Sequence, residues 1–221
     1  MASVLTHAGE TAGIDRVAIV TGGSRGLGRE IAVKLAGQGY AVVVNYARHQ
    51  GAAEAAVEEV LAADGTAIAV RGDVADELDV ERLFAETTET FGRADVVVHA
   101  VGQVVVSPVA DCDLDTFDAL VRTTVRGTFI VNRQAARELR AGGAIVNVCG
   151  SPAGSYAAAS GAVEAITRAL APELHERDIT VNTVVPALMR PATPAGIADV
   201  VAFLVGEDGH WVNGQVIRAS D

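Results

Sequence analysis

From Arg16 onward, short runs of β-branched residues alternate with longer stretches whose apolar residues recur at helical spacing. The runs Val17–Val20, Ala41–Asn45, Thr66–Arg71, Asp95–His99, Ala144–Cys149, Ile179–Val185 and Gln215–Arg218 predict seven strands. Most are nearly unbroken Val and Ile, as parallel strands buried on both faces require. Helical patterns fill the intervals near 27–38, 50–63, 76–91, 114–140, 156–175 and 195–205. In the second, Ala53, Val57, Val60 and Leu61 share one side, with Glu54, Glu58 and Glu59 on the other. Strand–helix alternation with right-handed crossovers predicts an α/β fold: one doubly wound domain, a parallel seven-stranded sheet with helices on both faces. Residues 1–14 are small and polar without periodicity, and are expected to form a flexible extension. No repeat, linker or low-complexity tract divides residues 15–221.

Composition narrows the partners. Half of the 221 residues are hydrophobic and the mean hydropathy is +0.30, enough apolar material for a core. No apolar run approaches the ~18 residues of a membrane helix, so no membrane role is expected. A net charge of −11 excludes a protein that binds nucleic acid by neutralising phosphates. Cys112 and Cys149 have neither metal-ligand spacing nor the number a disulfide framework needs. The first residues lack the charged and apolar regions of a signal peptide, so a cytoplasmic protein is expected.

The sharpest local signal is Thr21-Gly22-Gly23-Ser24-Arg25-Gly26-Leu27-Gly28, lying between the first strand and the first helix. Glycines there let the backbone turn tightly and approach a pyrophosphate, and a helix N-terminus offers free N–H groups and positive potential. The plainer alternative is a tight strand-to-helix turn with no ligand. About 20 residues further on, where an NAD site places an acidic residue, stands Asn45, with Arg48 just beyond it. Arg25 and Arg48 with no carboxylate suit a 2′-phosphate, which points to NADP(H). Two solvated surface arginines are the alternative.

These residues resemble the short-chain dehydrogenase/reductase family, most closely its ketoacyl-carrier-protein reductase-like branch, and the resemblance spans residues 15–221. It continues through Gly72-Asp73-Val74, Arg126-Gly127-Thr128-Phe129, Gly143 to Val148, Tyr156 to Glu164, Ile179 to Asn182 and Gly214-Gln215-Val216. It implies a Rossmann-type domain and hydride transfer between nicotinamide and a small carbonyl or alcohol. It further implies cofactor contacts from Gly22, Ser24, Arg25, Gly26, Leu27, Gly28, Asn45, Arg48, Asp73, Val74, Ala100, Gly102, Pro186 and Thr193. A homodimer or homotetramer is implied too, paired through the helices near 114–140 and 156–175 and again through the last strand.

The catalytic residues carry over poorly. Tyr156 matches the family's acid–base tyrosine, but the lysine four residues later is Ser160 and the asparagine is Thr124. The only lysine, Lys34, lies on the helix after the glycine turn. A tyrosine ordinarily titrates near pH ~10, so poising it near neutrality takes ~3 units, or ~4 kcal/mol. Nothing at position 160 supplies that charge. The family serine falls on Gly150 in an ungapped match and on Ser151 with a one-residue shift. The Asn-Asn-Ala-Gly segment appears as His99-Ala100-Val101-Gly102, where His99 is either a replacement base or a strand-end histidine bonded to neighbouring backbone. Four residues separate Ser151 from Tyr156, and after Pro186-Ala187 the chain reaches its last helical pattern by residue 195. The segment that covers substrate in the family is cut back.

Cys149 reads as a small buried hydrophobe, Trp211 as packing at the core or a subunit contact, and Asn182 as structural. Asp111, Asp113 and Asp115 read as charges at a helix start. Three functions follow: an NADP(H)-dependent oxidoreductase of atypical or weak activity using Tyr156 and Ser151, an inactive nucleotide-binding or regulatory relative, or dehydration or isomerisation with His99 or Tyr156 as base.

Overall fold

A computed structural model describes residues 14–101, 107–150, 153–186 and 193–220. Its strands are β1 (Arg16–Thr21), β2 (Tyr40–Tyr46), β3 (Thr66–Arg71), β4 (Val96–His99), β5 (Ala144–Val148), β6 (Thr180–Pro186) and β7 (Val216–Ala219). The helices are α1 (Gly26–Ala36), α2 (Gln50–Ala62), α3 (Glu77–Phe91), α4 (Leu114–Leu120), α5 (Gly127–Glu138), α6 (Tyr156–Glu173) and α7 (Pro194–Val205). All strand pairs are parallel, in the order β3-β2-β1-β4-β5-β6-β7. The predicted doubly wound α/β architecture is the one observed.

Alternation along the strands divides the core in two. Val17 and Ile19 of β1 join Val97 and Ile145 against α3, α5 and α6, where Leu83, Phe84 and Val131 are buried. Ala18 and Val20 face the other way, onto Ile31 of α1, Val57 of α2 and Val201 of α7. At the lower end of β1, Asp95 is buried and accepts from Val17 N at 2.8 Å and from both arms of the Arg93 guanidinium.

Two expectations need correction. The pattern over 114–140 is not one helix: α4 ends at Leu120, a π turn spans Val121–Arg126, and α5 follows. The β-branched residues Val121, Thr123, Thr124 and Val125 crowd a regular helix, and the Thr128 hydroxyl bonds back to the Thr124 carbonyl. Of the two places expected for Trp211, the core is excluded, since it is 80% exposed in the single chain, and the subunit contact stays an expectation. The expectation for Asp113 holds, since it caps α4 through Thr116 N at 2.9 Å. Residues 1–13 of the expected extension lie outside the described residues.

Candidate active site

The strand order reverses between β1 and β4, which opens a crevice at their carboxyl ends. The glycine turn sits there. Gly22 has φ +68°, and a Cβ on it would lie 2.8 Å from the Ala100 carbonyl oxygen. A Cβ on Gly28 would come within 2.2 Å of the Gly22 carbonyl oxygen, so only glycine lets α1 start this close to the end of β1. Gly26, at φ +52°, has open space where its Cβ would be. Arg25 occupies the N-cap position in extended conformation without a side-chain cap, and the first turn carries no acidic residue. Among the described residues no N-cap side chain competes for the leading N–H groups of α1, which suits an anion there. Leu27 packs partly into the core and Ser24 is buried beside the turn. These residues fit a pyrophosphate.

At the ribose end, Asn45 is committed to the fold. Its Nδ2 donates to the Val70 carbonyl at 3.3 Å and the Gly72 carbonyl at 3.1 Å, tying β2 to the end of β3. Arg25 and Arg48 are exposed, and Arg48 is near enough to Asp73 to lower its pKa. Burial pushes the Asp73 carboxyl up, but the Ala75 N–H and the Arg122 guanidinium outweigh it and hold the group below its usual value. Arg122 reaches Asp73 Oδ2 at 2.9 Å from the π turn. No local pattern marks this contact, because the two residues lie 49 positions apart. Val74 is buried against Gly127 at the start of α5.

The catalytic positions converge on Gly150. Tyr156, at the start of α6, is fully buried and accepts a hydrogen bond at Oη from Gly150 N at 3.1 Å. Burial pushes the phenol above its usual value, against the opposing pull of that N–H. Thr124 Oγ1 is close enough to the phenol to lower its pKa slightly, yet makes no hydrogen bond of good geometry among the described residues. Ser160, also fully buried, donates to the Gly150 carbonyl at 3.2 Å, with Cys149 Sγ 3.6 Å from its Oγ. Burial raises the Cys149 thiol to about 11, consistent with an inert core cysteine.

Ser151 and Gly102 lie outside the described residues. Thr193 caps α7, accepting from Gly196 N at 3.1 Å, and Pro186 closes β6 beside Ala219. Asn182 is structural as expected, bonded to Val212 O at 2.7 Å and Gln215 N at 3.0 Å. His99 differs from the backbone-bonded histidine expected at a strand end: its Nδ1 lies 2.9 Å from Thr21 Oγ1, a side-chain partner. Its ring is buried and titrates near 4, a weak base at neutral pH. Beside it, Asn147 begins a buried polar chain, Asn147 Nδ2 to Thr167 Oγ1 to Thr183 Oγ1, at 3.0 and 2.7 Å. Among the described residues, no cluster of His, Cys, Asp and Glu could hold a metal.

A protein-family model for short chain dehydrogenases matches residues 16–199. An uncharacterized oxidoreductase of Methylorubrum extorquens is 34% identical over 93% of this chain and 96% of its own length. That match extends over 238 positions, more than the 221 residues of the chain, so the relative holds residues without a counterpart here. A versicolorin reductase of Emericella nidulans is 34% identical over 91% of this chain and 93% of its own. A short chain dehydrogenase of Burkholderia cenocepacia, solved in complex with NADP, superposes with a TM-score of 0.87 at 32% identity, over 94% of this chain and 97% of that one.

Proposed function

The chain belongs to the short-chain dehydrogenase/reductase family, and we propose that it is an NADP(H)-dependent oxidoreductase acting on a small carbonyl or alcohol, with activity weaker than the family norm. The observation that carries this reading is the phosphate cradle: Gly22 and Gly28 permit a backbone approach that any side chain would block, onto a helix start with no cap. The NADP complex of the Burkholderia relative and the exposed Arg25 and Arg48 support the phosphorylated cofactor. When bound, that cofactor supplies or accepts the hydride. Tyr156 would move the proton, and Ser151 would polarise the carbonyl. Calorimetric titration with NADPH and with NADH, then a carbonyl screen followed by NADPH absorbance, tests the reading. No binding of either nucleotide ends it.

A specific observation favours a second reading, a nucleotide-binding relative that transfers no hydride. The Tyr156 phenol is sealed from solvent against Gly150, and Ser160 brings no charge to it. Tight NADPH binding without turnover on any carbonyl would select this reading. Non-redox chemistry with His99 as base draws no support from a buried imidazole titrating near 4.

The proposal includes a homodimer or homotetramer. A groove between α5 and α6 is lined by the half-exposed Phe129 and by Asn132, which is buried with both amide atoms unpartnered among the described residues. Light scattering decides the state; a monomer would refute it. Among the described residues no helix is long and apolar enough to cross a membrane. A cytoplasmic location, tested by fractionation, completes the proposal.

A further inference from the structure

Two departures from the family's catalytic pattern meet in space. Gly150 stands, in ungapped register, at the serine position, and Ser160 at the lysine position. Ser160 lies one helical turn beyond Tyr156 and shares its face of α6, so both side chains reach the end of β5. There the Ser160 hydroxyl donates to Gly150 O at 3.2 Å, and Gly150 N–H donates to Tyr156 Oη at 3.1 Å. One residue is thus held at both of its backbone groups.

We infer that Ser160 is a positioning residue: by fixing the Gly150 carbonyl it holds the Gly150 N–H on Tyr156 Oη, so that a neutral main-chain donor stands where the family uses an ammonium. Both side chains are fully buried, where a bare ammonium would carry a heavy desolvation cost and an N–H does not. A hydrogen bond to the charged form of an acid favours that form. Gly150 N–H therefore works against the burial that otherwise keeps the phenol protonated. Cys149 Sγ lies 3.6 Å from the Ser160 hydroxyl, a second neighbour of the array. Gly150 and Ser160 act as a pair: the main-chain N–H is the donor to Tyr156, and the serine hydroxyl holds the residue that carries it.

The inference deepens the oxidoreductase reading and rests on it for its consequence in turnover. In the reducing direction the Tyr156 O–H bond would break and its proton pass to the substrate carbonyl oxygen, the bound nicotinamide being the source of the hydride that the carbonyl carbon would take up. The phenolate left behind keeps the Gly150 N–H, and regains its proton as product leaves and water enters the site.

The test uses the whole protein without cofactor or substrate, labelled with 15N and with 13Cζ-tyrosine. The chain has three tyrosines, so Tyr156→Phe assigns the resonance. Ser160→Ala is expected to speed exchange of the Gly150 amide about five- to tenfold, the loss of one supporting hydrogen bond, and to move the Tyr156 13Cζ resonance. Ser160→Thr, which returns a hydroxyl, is expected to restore both. An unmoved Tyr156 resonance in Ser160→Ala, or no rescue by Ser160→Thr, overturns the inference. If Ser160→Ala does not fold, Ser160→Cys carries the same test, since a thiol is the weaker donor and an unchanged resonance refutes the role. Absence of turnover on every carbonyl would end the oxidoreductase reading and leave these spectra as they stand. Turnover with an unmoved resonance would end this inference alone.

Discussion

His99 Nδ1 lies 2.9 Å from Thr21 Oγ1, joining β4 to β1 at the point where the strand order reverses. The pair closes the floor of the crevice beneath the glycine turn, and its energetics depend on pH. Burial lowers the imidazole from its usual value to about 4. An unfolded histidine takes up its proton near pH ~6.5, so between that value and the folded one the unfolded chain binds more protons. His99 therefore contributes its full stability above pH ~6.5 and loses it progressively as the pH falls, by about 3 kcal/mol across the window. Asp73, held below its usual value, loses its contribution only below the ordinary carboxylate range, at about pH 4. Urea midpoints measured from pH 7.5 down to 4.5 should fall steeply in the native protein and much less in His99→Asn; parallel slopes would refute the assignment.

Tyr156→Phe should reduce NADPH-dependent turnover at least ~100-fold, the range of a lost general acid. It also leaves the Gly150 N–H without its acceptor, so a loss of about 1–2 kcal/mol in urea stability should accompany it. Measuring both separates the roles. Turnover retained in a stable variant would remove Tyr156 from the chemistry.

Arg48→Ala and Arg25→Ala should each weaken NADPH binding about ten- to hundredfold and leave NADH binding nearly unchanged, since each removes a charged donor from the 2′-phosphate alone. Calorimetry reads both nucleotides. Equal losses for the two would place these arginines on the shared pyrophosphate.

Gly28→Ala sets a Cβ 2.2 Å from the Gly22 carbonyl oxygen, and neither backbone can yield cheaply. A loss of about 2 kcal/mol or more, with loss of nucleotide binding, is expected. Gly26→Ala meets open space at φ +52° and should cost only about 1 kcal/mol in strain, binding being retained in part. Denaturation midpoints of the pair give the comparison, and an equal cost at both positions would refute the packing argument.

The alternation of Val-rich runs with amphipathic stretches was enough to set the architecture, because burial on two faces or on one is written in local periodicity. The strand ends shifted by a residue, as at β6, where the pattern Ile179–Val185 became Thr180–Pro186. The glycine turn was equally legible, since a cradle that excludes Cβ atoms leaves glycine as its only sequence trace. Local pattern failed where neighbours in space are distant in sequence. The π turn inside 114–140 came from crowding among residues whose apolar spacing still looks helical.

Sequence by itself determined the fold, the glycine turn and the missing lysine. Only the tertiary structure set Ser160, at the lysine position, against the Gly150 carbonyl. Ser160 and Gly150 look like losses when read one at a time, and join the retained Tyr156 in a connected array once β5 and α6 set them within hydrogen-bond distance. Arg122 meets Asp73, and Asn45 reaches the Val70 and Gly72 carbonyls, for the same reason. A hydrogen bond needs two groups within about 3 Å, and sheet register, not chain order, brings them there.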